Sequence, residues 1–181
     1  EDNAASNYPQ VHSIMFKQNE GGYLAGVLAA LVSIDTGAQK TGFIGGMKID
    51  VINDFGYGFM QGVQRVNTDY SANILAYNSY IGDFFNSPKG KSLADTMYTE
   101  GGVNIIFVAA SQAGLGSLDS AKNMGKYIIG VDSDQYGYFV ETDRTKADQS
   151  VTAVLKRVDL ALYEASEAYL NGTLTYADLV I

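Results

Sequence analysis

Apolar residues recur along the chain in two alternating rhythms. Between residues 20 and 33, Leu24, Val27, Leu28 and Leu31 fall at i, i+3, i+4 and i+7, one face of a helix. Gly22, Ala25, Gly26 and Ala29 in the same stretch would let that helix approach a neighbour closely. A short strand is predicted at 11–16, and continuous apolar runs predict further strands at 41–45, 73–77, 104–109 and 127–131. Helical spacing fills the intervals: Phe55, Phe59, Val63 and Val66; then Leu93, Ala94 and Met97; then Leu115, Leu118 and Ala121 with Met124. Strands separated by helices at this spacing predict βαβ units, hence an α/β fold with a parallel sheet. Strands that are apolar throughout predict helices on both faces. A last helix is predicted from 147 to 171, with Val151, Val154, Leu155, Val158 and Leu162 as its stripe and Asn171-Gly172 as its C-cap. The polar residues 1–8 read as a loose lead-in, and 173–181 turns apolar like a strand.

Composition narrows the function classes. The 181 residues are 46% apolar, enough for a sizeable core, and suit one domain or one lobe with part of a second. A net charge of −8 repels phosphate backbones and anionic headgroups, which excludes nucleic acid as a partner. The chain has no cysteine, so disulfides and thiolate metal sites are out. His12 is the one histidine, which excludes a multi-histidine metal centre; inside a predicted strand it reads as structural. The longest apolar run, 25–34, is too short to span a bilayer, and any signal peptide or lipid anchor is expected to have been removed ahead of Glu1.

Ligands in doubly wound sheets bind beyond the carboxyl ends of the strands, so the segments that follow each strand carry the candidate chemistry. These are Gly45-Gly46-Met47-Lys48-Ile49-Asp50, Tyr80-Ile81-Gly82-Asp83-Phe84-Phe85-Asn86, Ala110-Ser111-Gln112-Ala113-Gly114-Leu115-Gly116 and Asp132-Ser133-Asp134-Gln135. Glycines let backbone amides approach a ligand, but neither Gly-x-Gly-x-x-Gly nor a P-loop lysine pattern is present. Gly114-Leu115-Gly116 is equally well a tight strand-to-helix turn. Asp132 and Asp134 could be an acid/base pair, metal ligands, hydroxyl acceptors or solvated loop aspartates; a third metal ligand and a nucleophile are both lacking. Of Phe84 and Phe85, one can bury and the other project, and a rim phenylalanine is a stacking platform for a flat ring. Lys156 falls inside the predicted last helix, where a lysine is ordinarily solvated.

Three stretches are more specific. Phe16-Lys17-Gln18-Asn19-Glu20-Gly21-Gly22-Tyr23-Leu24-Ala25-Gly26 resembles the F-x-x-x-E-x-x-Y-L-A-G block of the basic membrane protein (PnrA-like) family. Gly42-Phe43-Ile44-Gly45-Gly46-Met47 with Val51-Ile52-Asn53-Asp54-Phe55-Gly56-Tyr57-Gly58-Phe59 resembles its next block, and Gly130-Val131-Asp132-Ser133-Asp134-Gln135 a third, in the same order. The resemblance implies a type I periplasmic-binding-protein-like fold, two α/β lobes with ligand in the cleft. It also implies an extracytoplasmic, lipid-anchored receptor that passes purine nucleosides (inosine, adenosine or guanosine) to an ABC transporter permease, with neither a cofactor nor catalysis. By position it makes Phe84 a stacking ring, Asp134 an acceptor of ribose hydroxyls alongside Asp132, Lys156 the cleft lysine, and the loop Ser111–Gly116, with Ser111 and Gly114, a source of backbone contacts.

The family's amino-terminal region, with its anchor cysteine and second stacking ring, has no counterpart here, so the chain is expected to comprise lobe two and part of lobe one. The expected division is a lead-in and crossover at 1–17, lobe two at 18–137 and a returning segment with the long helix at 138–181. The missing amino-terminal segment is expected to exist as a second chain or to have been lost by proteolysis. Lys48, Asp50 and Ala153 depart from the family pattern and could alter specificity. A sugar-binding protein of the same fold, a nucleoside hydrolase using Asp132 and Asp134, and a dimerising fragment are the competing readings.

Overall fold

The computed structural model describes residues 11–176 and 178–180; the lead-in at 1–8 lies outside them. The chain divides into two compact units, Gln18–Leu155 and Glu1–Lys17 with Lys156–Ile181.

In the larger unit, β2 (Lys40–Gly45), β3 (Leu75–Tyr80), β4 (Ile105–Ala109), β5 (Tyr127–Asp132) and β6 (Ser150–Leu155) form a five-stranded sheet in the order β3-β2-β4-β5-β6. Every pairing in it is parallel. Between the strands run α1 (Gln18–Asp35), α2 (Asp50–Asp69), α3 (Ser87–Thr99) and α4 (Ser111–Met124), with two short helices, α5 (Gln135–Phe139) and α6 (Arg144–Ala147), ahead of β6. The fold is therefore the α/β parallel architecture that the periodicity predicts. Because successive strand residues point to opposite faces, Phe43, Ile105, Phe107, Ala109, Ile129 and Val131 join α1 and α2 in one core layer. Ile44, Ile106, Val108 and Ile128 join α3 and α4 in the other. The central strands are buried except at Lys40, Tyr127 and Asp132 at their ends, whereas β3 and β6, at the sheet edges, are largely exposed.

Local signals set the helix ends. The Asn86 side chain accepts from the Lys89 N–H at 3.0 Å to cap α3, and Pro88 occupies its first turn, where no amide partner is needed. Gly125, left-handed at φ +60°, closes α4. The stripe Phe55, Phe59, Val63 and Val66 on α2 is buried as its spacing predicts. On α1 the stripe holds in part, with Val27, Leu28 and Leu31 half-buried against the core. Leu24 is 67% exposed, and the buried face is Gly22, Ala25, Gly26, Ala29, Ala30 and Ser33. The small residues win because α1 and α2 meet backbone to backbone. A Cβ on Gly26 would strike the Phe59 carbonyl, and one on Gly62 would strike that of Tyr23. Leucines at this contact would hold the helices apart.

The helix expected over 147–171 is a correction. Residues 150–155 are β6, which continues the sheet beside β5, and the helix proper, α7, is Val158–Leu170. Val151, Thr152 and Val154 are β-branched and suit a pleated surface, and pairing with β5 outweighs the helical spacing. Residues 138–155 accordingly pack with the larger unit, and Lys156 lies in the connection after β6 rather than inside a helix.

In the smaller unit, β1 (Ser13–Met15) pairs in parallel with β7 (Asp178–Val180), Ser13 opposite Asp178. The His12 ring nitrogen Nδ1 lies 2.7 Å from the Thr175 carbonyl, which can only accept, so Nδ1 carries the proton. The histidine thus fastens β1 to the segment that leads into β7. Among the described residues no helix is long and apolar enough to cross a membrane.

Candidate functional site

The strand order reverses between β2 and β4: from β2 the chain steps outward to β3, and from β4 it steps the other way to β5 and β6. Loops leaving adjacent strands at such a point diverge and open a crevice at the carboxyl ends. Backbone hydrogen bonds tie these loops together here. Gly46 N–H donates to the Ala109 carbonyl at 2.9 Å, Gly82 N–H to Gly46 at 2.7 Å, and Ala113 N–H to Phe84 at 2.9 Å.

Phe84 sits in this lattice. Its Cδ1 and Cε1 lie so close to Gly46 that a Cβ there would overlap them, and Phe84 packs against the core layer of α1 and α2. Phe85, one residue on, is 77% exposed. Asp83 decides which ring turns in. Its carboxylate accepts from the Asn86 N–H at 2.6 Å and the Phe85 N–H at 2.8 Å, which winds the chain into a turn. Those two bonds, Asn86 first, hold the Asp83 carboxyl below the usual carboxylate range.

Beyond the ends of β4 and β5 is a cavity of about 290 Å³. Ser111, Gln112, Asp132, Ser133, Gln135 and Tyr138 supply most of its polar and aromatic lining. Two of these occupy left-handed backbone: Ser111 at φ +49° and Asp132 at φ +67°. Non-glycine residues there cost about 1–2 kcal/mol each, and such strain gathers where a site needs a backbone or side chain aimed in a particular direction. Gln135 folds its amide over Gly130 of β5, a position where a Cβ would collide with it.

The residues singled out from the sequence therefore fall in different places. Ser111 and Asp132 line the cavity, whereas Phe84 belongs to the neighbouring loop lattice. Asp134 is exposed beside the cavity and caps α5, its Oδ1 accepting from the Gly137 N–H at 3.1 Å. Gly114 is buried inside α4 against Val108, and its N–H already donates to the Ala110 carbonyl at 3.3 Å. Lys156 follows Leu155, the register partner of Asp132, and its Nζ stands 5.8 Å from the centre of the Phe16 ring. Sequence reasoning did not find Tyr138 and Phe139, which stack edge to face at 5.2 Å beside the cavity. The available signal was the run of aromatics Tyr136, Tyr138 and Phe139 within five residues of Asp134.

Comparison with known proteins bears on what such a site serves. Residues 2–181 match the family model described as ABC transporter substrate-binding protein PnrA-like. The CD4+ T-cell-stimulating antigen of Listeria monocytogenes is 38% identical over 170 residues, which cover 89% of this chain and 45% of that one. Basic membrane protein D of Borreliella burgdorferi is 36% identical over 161 residues, covering 88% and 43%. The chain thus spans less than half the length of these relatives. A solved ABC transporter solute-binding protein from Aeropyrum pernix superposes with a TM-score of 0.82 at 26% identity, over 94% of this chain and 47% of its own.

Proposed function

Since the chain belongs to the PnrA-like family of ABC transporter substrate-binding proteins, we propose that it captures purine nucleosides outside the cytoplasm and delivers them to a permease. The observation that carries this reading is Phe84. A half-buried ring braced on Gly46, at the switch point of a parallel sheet, offers a flat, rigid face to a purine at little entropic cost. Asp134 has carboxylate lone pairs beyond the one used to cap α5 and can accept from ribose hydroxyls. Asp132 and Ser111 line the adjacent cavity, where the strained backbone aims them. Lys156 supplies a cation for ribose or base oxygens. Gly114, whose amide is engaged within α4, serves by letting that helix seat against Val108.

In this reading the protein binds and releases its ligand unchanged, and in its full-length form it is held at the membrane by a lipid. Inosine, adenosine and guanosine are the expected ligands. A second reading, a free sugar, draws on the cavity lining, where a carboxylate, two amides and Tyr138 resemble a carbohydrate-binding set. Calorimetric titration with the three purine nucleosides, cytidine and ribose separates the two. Saturable purine binding with ribose silent supports nucleoside capture; ribose binding alone supports the sugar reading, and silence from every purine refutes the proposal.

A further inference from the structure

One side of the cavity is carried by two helices too short to hold themselves. α5 has five residues and α6 four, well under the length at which a helix is stable on its own. Their placement depends on side-chain ties to α4, whose first residues, Ser111 and Gln112, line the same cavity. Two ion pairs cross between α4 and α6. The Lys122 ammonium reaches Asp143, the cap of α6, at 2.7 Å, and the Lys146 ammonium reaches Asp119 Oδ1 at 2.6 Å. Lys146 makes a second contact as well. Its Nζ stands 4.4 Å from the centre of the Phe139 ring, inside the range over which a ring face attracts an ammonium. Phe139 in turn meets Tyr138 edge to face, and both residues line the cavity. The Lys146 side chain is only 12% exposed, so salt and water screen these contacts little.

We propose that Lys146 is a positioning residue for ligand capture: anchored on Asp119, its ammonium fixes the Phe139 ring and, through it, the Tyr138 ring as the aromatic wall of the cavity. Tyr138 is 76% exposed, so its surroundings confine it little, and the Phe139 edge contact narrows its orientations. Phe139 also packs against the core layer of α3 and α4, so the lysine and the core hold the same ring. An aromatic wall is a platform for the apolar face of a ligand ring. A wall held in its bound orientation before the ligand arrives avoids the ordering cost that binding would otherwise carry. The inference rests on the reading of this cavity as part of the ligand site, and every residue in it belongs to the larger unit.

The test is inosine titration of the wild type, Lys146→Met, Lys146→Arg, Lys122→Met, Phe139→Leu and the Lys146→Met/Phe139→Leu double variant, with NMR of the Lys146 Cε protons in parallel. In the wild type the Phe139 ring current shifts those protons upfield, and in Phe139→Leu the shift is gone. Lys146→Met weakens inosine about two- to tenfold, the span of one cation–π contact. Lys146→Arg, which keeps both the charge and the ability to stack, binds as the wild type does. Lys146→Met adds nothing in the Phe139→Leu background. Lys122→Met removes the other ion pair, leaves the Lys146–Phe139 contact in place and changes the affinity less than Lys146→Met does. An equal loss in Lys122→Met, or a full further loss in the Phe139→Leu background, would reduce Lys146 to fold support and overturn the inference. So would an unshifted Lys146 in the wild type, a result that stands even where the variants fail to fold. A wild type that binds no nucleoside overturns the reading of the site, and this inference with it; inosine binding left unchanged by Lys146→Met overturns this inference alone.

Discussion

Replacing Gly26 by alanine probes the packing that holds the α1–α2 layer to the sheet. The added Cβ would overlap the Phe59 carbonyl oxygen and stand about 2.8 Å from its carbon. These are backbone atoms of a helix and cannot rotate aside. Restoring an ordinary C···O approach of about 3.3 Å requires the helices to part by roughly 1 Å. Gly62 makes the reciprocal contact on the Tyr23 carbonyl, so sliding gives no relief. Overpacking of this kind costs about 1–3 kcal/mol, and the backbone obstacle places Gly26→Ala at the upper end. Better helix propensity returns about 1 kcal/mol, leaving a net loss of about 2 kcal/mol. Gly114→Ala is the control: its Cβ meets the tip of the Val108 side chain at 3.0 Å, which can yield, so gain and loss nearly cancel. Urea denaturation followed by circular dichroism should lower the Gly26→Ala midpoint by about 1 M, for slopes of about 1–3 kcal/mol per molar. A Gly26→Ala protein no less stable than Gly114→Ala would refute the close-contact argument.

Other consequences are open to direct measurement. Ser111→Gly removes the left-handed strain on a side-chain-bearing residue and should raise stability by about 1 kcal/mol, seen as a higher Tm; a lower Tm would mean that the hydroxyl is structurally needed. Asp143 accepts from the Lys122 ammonium at 2.7 Å and caps α6 through the Lys146 N–H at 3.1 Å, and these bonds, Lys122 first, hold its carboxyl below the usual range. A depressed folded pKa contributes stability that is present above the unfolded carboxylate pKa and is lost as pH falls through the folded one. Asp143→Asn keeps a capping oxygen but loses the ion pair. Its urea midpoint should therefore fall less than that of the wild type between neutral pH and about pH 3; parallel profiles would contradict the linkage.

Central features of this fold are legible in the residues. The strands β4 and β5 are rich in apolar residues because helices cover both faces, and the α2 stripe has full helical spacing. What misled was chemistry shared by two structures. Val151, Val154, Leu155, Val158 and Leu162 fit a helical face, yet the first three lie on β6, whose pairing with β5 is a long-range contact that local spacing cannot register. On α1 the small residues Gly22, Ala25, Gly26 and Ala29 meet the neighbour as their size suggests, while Leu24 alone of the apolar stripe is exposed, since the partner's surface decides how far the buried face extends. Strand order is equally invisible locally. At the site, Phe84 and Phe85 are chemically identical, and the turn held by Asp83 chooses between them. Positive φ at Ser111 and Asp132 has no sequence signature, because glycine, the residue that signals it, is absent from both positions.

Nucleoside capture through Phe84 is tested most directly by titrating inosine into the wild type, Phe84→Ala and Phe85→Ala side by side. Loss of one base-stacking ring costs about 1–3 kcal/mol, so Phe84→Ala should raise Kd roughly five- to a hundredfold, with Phe85→Ala unchanged. Equal affinities in all three proteins, or a loss confined to Phe85→Ala, would contradict it.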